Sequence, residues 1–303
     1  MPRPLATLLL LLTTMLWGFA FVAQKSAMSA MGPLTFSAIR YALGALIVLP
    51  LAVWEYRRRR ANPSRRDWAL IALLGLAFFL GVYLQQAGLV TTTVTNGGFL
   101  TSLYVLFVPL IALVAVRQMP HPIVWICTPM AIPGVFLLNG GHLDRFTAGD
   151  FMLIGGAIAW AVQVLMVGYV ARLTGLPVTI SVICFATTAL LSAVGGAALE
   201  TPDLGTAISQ GWAEILYAGI LSTAVAFTIQ AVAQQYVPSA NAAIILSAES
   251  LFAALGGALV LGERLPAIGY FGAALIFFAI VLVETVPALL LRRGGRQWAG
   301  DSR

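Results

Sequence analysis

The sequence predicts an all-α polytopic membrane protein of ten transmembrane helices, arranged as two inverted five-helix repeats with the N- and C-termini cytoplasmic. Three observations predict it. Of 303 residues, 60% are hydrophobic and 9% charged, whereas a soluble domain carries roughly 25% charged residues. A helix of about 20 apolar residues, the length that crosses a ~30 Å hydrocarbon core, fits the chain ten times. Sliding the chain by about 145 residues matches one half to the other.

The ten spans cover approximately 5–24, 33–54, 68–89, 95–116, 121–139, 149–171, 177–199, 211–232, 239–261 and 266–287. The first, MPRPLATLLLLLTTMLWGFAFVAQ, runs on past Trp17 and is followed by nine similar segments, so it reads as a span and not as a cleaved signal peptide. Connections are short, and no stretch between the spans is long enough for a soluble catalytic or nucleotide-binding domain.

Basic residues set the orientation, because short loops rich in Arg and Lys are retained on the cytoplasmic side. With the N-terminus inside, Arg3, Arg57 to Arg60, Arg65, Arg66, Arg117, Arg172, Arg292, Arg293, Arg296 and Arg303 are cytoplasmic, and Lys25, Arg145 and Arg264 are outside. Arg40 lies within span 2. The net charge of +6 is therefore a topology signal and no nucleic-acid footprint. Cys127 and Cys184 sit in apolar stretches and His121 and His142 at segment ends, a pattern that builds no metal or redox site. No cofactor is expected.

The internal repeat places YLQQAGLVTTTVTNGG (83–98) over TIQAVAQQYVPSANAA (228–243), so that Gln85 meets Gln230 and Asn96 meets Asn241 at one offset. Phe107 meets Phe252 at that same offset; at offsets one or two residues shorter, Trp17 meets Trp160, Gly75 meets Gly219 and Thr35 meets Thr179. The first repeat is taken as 1–141, the second as 142–291, and 292–303 as a basic cytoplasmic tail. Five spans per repeat is an odd number, so the second copy enters the membrane from the opposite side. Inverted repeats are an architecture of secondary transporters, whose site near the midplane is exposed to each side in turn.

WGFAFVAQK (17–25) resembles the start of the first repeat in EamA-type transporters of the drug/metabolite transporter superfamily, and SAESLFAALGGALVLGERL (247–265) resembles their second-repeat signature. Glu249 and Glu263 match that signature, Ser250 stands where proline is usual, and LYVLFVPLIALVAVRQM (103–119) keeps Pro109 but ends without Gly-Glu. In overall character the chain is most similar to YddG-type bacterial exporters of aromatic and other amino acids. The resemblance implies a secondary active or facilitated exporter of the cell inner membrane, working by alternating access, with spans 1–4 and 6–9 around a central cavity and 5 and 10 peripheral. Its partners would be a small-molecule substrate and the lipid bilayer, with no nucleic acid. Coupling to a proton and the oligomeric state stay open, a monomer among the options.

Glu249 is the sharpest candidate. A charged group near the centre of an apolar span costs roughly 2.5–3.5 kcal/mol on insertion scales, so it must face protein or water. It reads as a proton carrier, as a partner for a substrate ammonium, or as a buried acid that orients helices. Its repeat counterpart is Tyr104. Tyr83 and Tyr104 offer rings and hydroxyls to a cavity or to packing, and Trp17 with Trp160 offer indole walls that suit aromatic or cationic cargo. Gln85, Asn96, Gln230 and Asn241 form one amide set near each membrane face, as gate latches or as partners of free backbone groups. Arg40 is a candidate receptor for a carboxylate, or a structural arginine. Gly97, Gly98 and Pro109 are candidate hinges in span 4.

Other classes fit less well. A nucleotide-driven pump needs a phosphate-binding loop, and Lys25 is the chain's lone lysine. An intramembrane enzyme needs a nucleophile with a base or a metal cluster, and none is spelled out. A channel shares the symmetry but wants a filter-like tract or charge ring, which is missing. Lipophilic drugs or cationic dyes are the alternative cargo.

The topology has a direct check. A fluorescent protein fused after residue 303 should fold and glow in the cytoplasm, and alkaline phosphatase should be active when fused at residue 145 and inactive at residue 61. Phosphatase activity at residue 61 would reverse the orientation.

Overall fold

The computed structural model describes residues 1–59, 62–115, 117, 119–138, 141, 147–200, 203–260, 262 and 267–300. Arg60, His142, Arg145, Glu263, Arg264 and Arg303 lie outside the described residues. Ten apolar segments run through the rest. They are α1 (Arg3–Ala27), α2 (Pro33–Arg59), α3 (Arg65–Gly88), α4 (Val94–Val114), α5 (Val124–Leu138), α6 (Ala148–Thr174), α7 (Pro177–Leu199), α8 (Leu204–Ala233), α9 (Ser239–Val260) and α10 (Ala267–Gly300). Nine of these are long and apolar enough to cross a bilayer among the described residues. α5 is shorter, 15 residues with Pro129 and Pro133 inside it, and at 1.5 Å per residue spans about 22 Å. The stretch from 292, expected as a tail, continues α10 as helix to Gly300.

Local sequence explains where several helices begin. Ser64 with Asp67 and Thr147 with Asp150 form reciprocal capping boxes at the starts of α3 and α6, and Asp203 accepts from the N–H groups of Gly205 and Thr206 at the start of α8. Gly175, at φ 68°, ends α6 in a left-handed conformation that only glycine takes cheaply.

The exterior is apolar, and polar side chains are buried inside beside a largely apolar core. Leu46, Val114, Leu190 and Leu199 are exposed, whereas Gln24, Gln86, Gln163, Gln230, Arg40 and Glu249 are buried. This suits a lipid surround, in which exposed leucines cost nothing and polar groups need internal partners.

Helix pairing follows a pseudo-twofold relation that carries α1–α5 onto α6–α10. The most extensive pairs are α2 with α7, α3 with α6, α5 with α10 and α1 with α9. The first and third map onto themselves under that relation. α3 with α6 maps onto α8 with α1, and α1 with α9 onto α6 with α4, all of which also pack together.

The same relation appears at atomic detail in the helix ends. At the end of α2, Glu55 accepts from the backbone N–H of Val178 (3.3 Å) and Thr179 (2.8 Å) and from the Thr179 hydroxyl (2.8 Å), capping α7. Just past the end of α7, Glu200 accepts from the N–H of Leu34 (2.8 Å) and Thr35 (2.9 Å) and from the Thr35 hydroxyl, capping α2. The two helices cap one another at opposite ends. Helix C-termini are treated alike: Lys25 Nζ donates to the carbonyls of Leu89 (2.8 Å) and Val90 (3.1 Å) after α3, and Arg172 Nη1 donates to that of Gln234 (2.9 Å) after α8. Leu89 and Gln234 are repeat counterparts at the Gln85–Gln230 offset. Lys25 therefore has a defined backbone partner.

Glu55→Ala and Glu200→Ala should each lower stability by about 1–2 kcal/mol, the usual worth of a helix cap. The measurement is the thermal unfolding midpoint in detergent. Midpoints that match wild type in both variants would remove this role for the carboxylates.

Candidate functional site

The site begins with two interrupted helices. α4 breaks at Leu103 into Val94–Ser102 and Tyr104–Val114, and α9 breaks at Ser247 and Ala248 into Ser239–Leu246 and Glu249–Val260. Each was expected as one span, the first with candidate hinges at Gly97, Gly98 and Pro109, and both breaks fall at equivalent repeat positions. Each is served by a serine: Ser102 Oγ donates to the Gly98 carbonyl (2.8 Å) and its counterpart Ser247 Oγ to that of Ile244 (2.7 Å). Such back-bonding supplies a local alternative to the helical ladder. The residue that follows each break is Tyr104 in one repeat and Glu249 in the other. Discontinuous helices of this kind build the substrate sites of many transporters.

Tyr104 and Glu249 face a central cavity of about 30 Å³ bounded by α1–α4, α6, α8 and α9. That volume has room for roughly two water molecules. Among the described residues, none of α5 or α10 lines it. Gly18 lets α1 lie directly against α9 here, since a Cβ at that position would come within 2.7 Å of the Glu249 carbonyl oxygen.

One wall is aromatic. Phe227 packs 4.5 Å from Trp17 and 5.7 Å from Trp160, between ring centroids, and 4.7 Å from Phe78 behind it. The indoles are anchored by hydrogen bonds. Trp17 Nε1 donates to the Ser222 carbonyl (3.1 Å), and Trp160 Nε1 donates to Gln85 Oε1 (2.8 Å), whose amide nitrogen donates on to Gln24 Oε1 (3.2 Å). Ser222 and Phe227 belong to a π-helical stretch, Tyr217–Phe227, inside α8. Below them, Gln163 and Gln230 exchange amide hydrogen bonds at 3.2 and 3.4 Å.

Two ionisable groups remain uncompensated. Arg40 is buried; Nη2 donates to the Tyr41 hydroxyl (3.0 Å), the guanidinium lies 4.6 Å from the Tyr41 ring centre and 5.3 Å from that of Phe36, and Nε has no partner. No carboxylate approaches it: among the described residues the ion pair is Arg3 with Glu284, 3.0 Å apart, which ties α1 to α10. Glu249 sits beside Tyr104, but neither Glu249 Oε1 nor the Tyr104 hydroxyl makes a hydrogen bond of good geometry, and the Thr101 hydroxyl is also unpartnered.

Of the ten path candidates, Trp17, Arg40, Gln85, Tyr104, Trp160, Gln230 and Glu249 line this cavity. Tyr83 stacks instead on Phe79, 6.1 Å between centroids. It is two residues from Gln85, about 200° around the helix, so the two side chains face opposite ways. Asn96 lies in the first half of α4, its N–H bonded to the Thr93 hydroxyl, away from the lining. Asn241 donates to the Val283 carbonyl of α10 (3.1 Å) and borders a different space. Gly97 and Gly98 pack tightly against Leu89 and Ala253, and Pro109 lies within the second half of α4, so the interruption falls between the expected hinge residues. Gln24, Tyr41, Gln163, Ser222 and Phe227 were missed. The spacings 17, 21, 24 and 160, 163, 164 place Gln24 and Gln163 on the faces of their tryptophans, a signal that was available.

A second cavity, of about 1010 Å³, opens at the face that carries the termini, bordered by Arg66, His121, Tyr169, Arg172, Tyr236 and Asn241. Among the described residues, no acidic side chain borders it.

The chain matches the EamA-like transporter family twice, over residues 4–140 and 147–285. It belongs to that family. This EamA-like protein is 31% identical to an uncharacterized transporter of Archaeoglobus fulgidus over 93% of its own length and 86% of the relative's. It is 26% identical to the uncharacterized transporter YwfM of Bacillus subtilis over 93% and 94%, and 24% identical to the threonine/homoserine exporter RhtA of Salmonella typhimurium over 96% and 92%. A solved crystal structure shares the fold at 17% identity, with a TM-score of 0.78 over 95% of this chain and 99% of that one. The EamA-like protein is thus a multi-pass membrane transporter of small metabolites and not an enzyme.

The amide layer supports a test by double mutation. Gln163→Leu or Gln230→Leu alone should cost about 1–3 kcal/mol by stranding the partner amide, and the double variant should recover most of that loss. Thermal midpoints of the four proteins give the coupling; additive losses would mean the two amides act independently.

Proposed function

We propose that this transporter exports zwitterionic amino acids by alternating access through the central cavity. The observation that carries the reading is the pair of uncompensated groups in one cavity, the Arg40 guanidinium and the Glu249 carboxyl. A buried cation without a counter-ion is costly, and a cargo carboxylate supplies the missing partner through charge-assisted, bidentate geometry. Glu249 and Tyr104 then receive the cargo's ammonium group. The repeat supports this polarity: Arg40 corresponds to Cys184 and Glu249 to Tyr104, so each ionisable group occurs in one copy and the cavity is electrically lopsided. A cation alone would meet the Arg40 charge without compensation, which favours a zwitterion over a cationic dye.

In the proposed cycle the large cavity on the termini face is the cytoplasmic vestibule, an assignment supported by the arginine distribution. The central cavity gathers the polar groups, and rearrangement of the two broken helices exposes it to one side and then the other. The likeness to a relative named as a threonine/homoserine exporter supports an amino-acid cargo.

The test is counterflow of labelled amino acids into proteoliposomes, with a dye panel alongside and with or without a pH gradient. Amino acids should exchange, their decarboxylated amines should not, and Arg40→Met should lower amino-acid exchange by about 10–100-fold, the worth of a hydrogen bond to a charged group. Glu249→Gln should lower exchange as well. Dye movement without amino-acid exchange, or steady ion conduction, would overturn the proposal.

A further inference from the structure

We infer that Phe227 sets the size limit for the cargo side chain, and that the amino acids carried have small side chains and not aromatic ones. The inference rests on the amino-acid reading above and narrows it. Three observations support it. Trp17 and Trp160 are repeat counterparts, so the space between them lies at the centre of the molecule, and the Phe227 ring fills that space, near-parallel to Trp160 at an interplanar angle of 18°. What remains is about 30 Å³, enough for roughly two waters, so any cargo enters as the broken helices rearrange, and the Phe227 ring stays in the wall against which the cargo side chain must fit. An aromatic side chain would have to take the place that the protein's own ring already holds.

The second observation is how Phe227 arrives there. Gly75 and Gly219 correspond at an offset one residue shorter than Gln85 and Gln230, so α8 carries one residue more than α3 between those landmarks. The extra residue coincides with the π-helical stretch Tyr217–Phe227, whereas α3 is α-helical from Arg65 to Gly88. Single inserted residues of this kind produce π-bulges, which concentrate at functional sites. Counting back from Gln230, the counterpart of Phe227 is Val82, which is buried in the helix packing and does not line the cavity. The bulge thus adds a ring to the cavity from one repeat only.

The third is that the ring has an apolar wall to fill and no polar duty. Phe78 and Phe185 stand behind it, at 4.7 and 6.2 Å between centroids, and the ring of Tyr41, whose hydroxyl holds Arg40 at the cavity, lies 6.4 Å away. Truncating it would extend the cavity toward those rings while leaving Arg40, Glu249 and the amides in place.

The experiment is competitive counterflow in proteoliposomes with alanine, serine, threonine, leucine, phenylalanine and tryptophan, for the wild type, Phe227→Leu, Phe227→Ala and Phe227→Trp. Wild type should exchange alanine, serine and threonine and move phenylalanine at least about tenfold more slowly, a discrimination that hydrophobic pockets reach through a few methylenes. Phe227→Ala should raise the phenylalanine-to-threonine ratio by about tenfold or more, Phe227→Leu by less, and Phe227→Trp should lower it. A merely structural role would reduce all substrates together and leave the ratio alone. Should Phe227→Ala fail to fold, the Leu and Trp variants still give the ratio. Wild-type exchange of phenylalanine as fast as threonine, or a ratio unchanged across the variants, overturns the role of Phe227 while the amino-acid reading stands. Absence of any amino-acid exchange in the wild type overturns both.

Discussion

A hydrocarbon surround offers no hydrogen bonds, so each helix end and each interruption in this chain must find its partner inside the protein. That constraint accounts for the placement of nearly every polar side chain described above. Glu55 and Glu200 cap N-termini, Lys25 and Arg172 cap C-termini, and Ser102 and Ser247 serve carbonyls at the mid-membrane breaks. Once those obligations are met, the groups left over stand out. Buried atoms without a well-formed hydrogen bond are scattered through the helices, Ser37, Thr128, Thr188 and Ser192 among them, but Arg40 Nε, Glu249 Oε1, Tyr104 Oη and Thr101 Oγ1 belong to residues that share one cavity. In a medium where unmet polar atoms are costly, their convergence marks the place where something from outside completes the set.

The repeat supplies the scaffold, and departures from it supply the chemistry. Caps, breaks and tryptophans come in equivalent pairs. Arg40 against Cys184, Glu249 against Tyr104 and Phe227 against Val82 do not. A symmetric cavity would bind a cargo equally well in two orientations. One cation, one acid and one intruding ring leave a single orientation favoured, in keeping with differential contacts that a transport cycle needs in each state.

Much of this was legible in the sequence, for identifiable reasons. Ten apolar runs, an odd-numbered repeat and an acid inside an apolar stretch are signals that stand far above their background. Trp17, Trp160 and Glu249 were found because each is conspicuous among leucines and alanines. Gln24 and Gln163 share a helical face with a tryptophan, but they have no counterparts across the repeat, and single glutamines in long helices carry little signal of their own. Tyr83 was misplaced by reading nearness in sequence as nearness in space. The breaks in α4 and α9 left only serines and glycines as traces, residues too common in membrane helices to be diagnostic. The π-bulge was present as a one-residue change in offset between Gly75/Gly219 and Gln85/Gln230, visible but without meaning until α8 was seen to widen there.

The exchanged carboxylate caps also bear on how the protein is made. Leu34 and Thr35 wait for Glu200, some 165 residues further along the chain, and Glu55 waits for Thr179, 124 residues on. The start of α2 therefore lacks its cap until all of α7 and the residue that follows it have been made. The caps of α2 and α7 are thus completed only when both halves are present, and the pairing of α1 with α9 and of α5 with α10 leaves the final contacts of the first five helices to the last helices made.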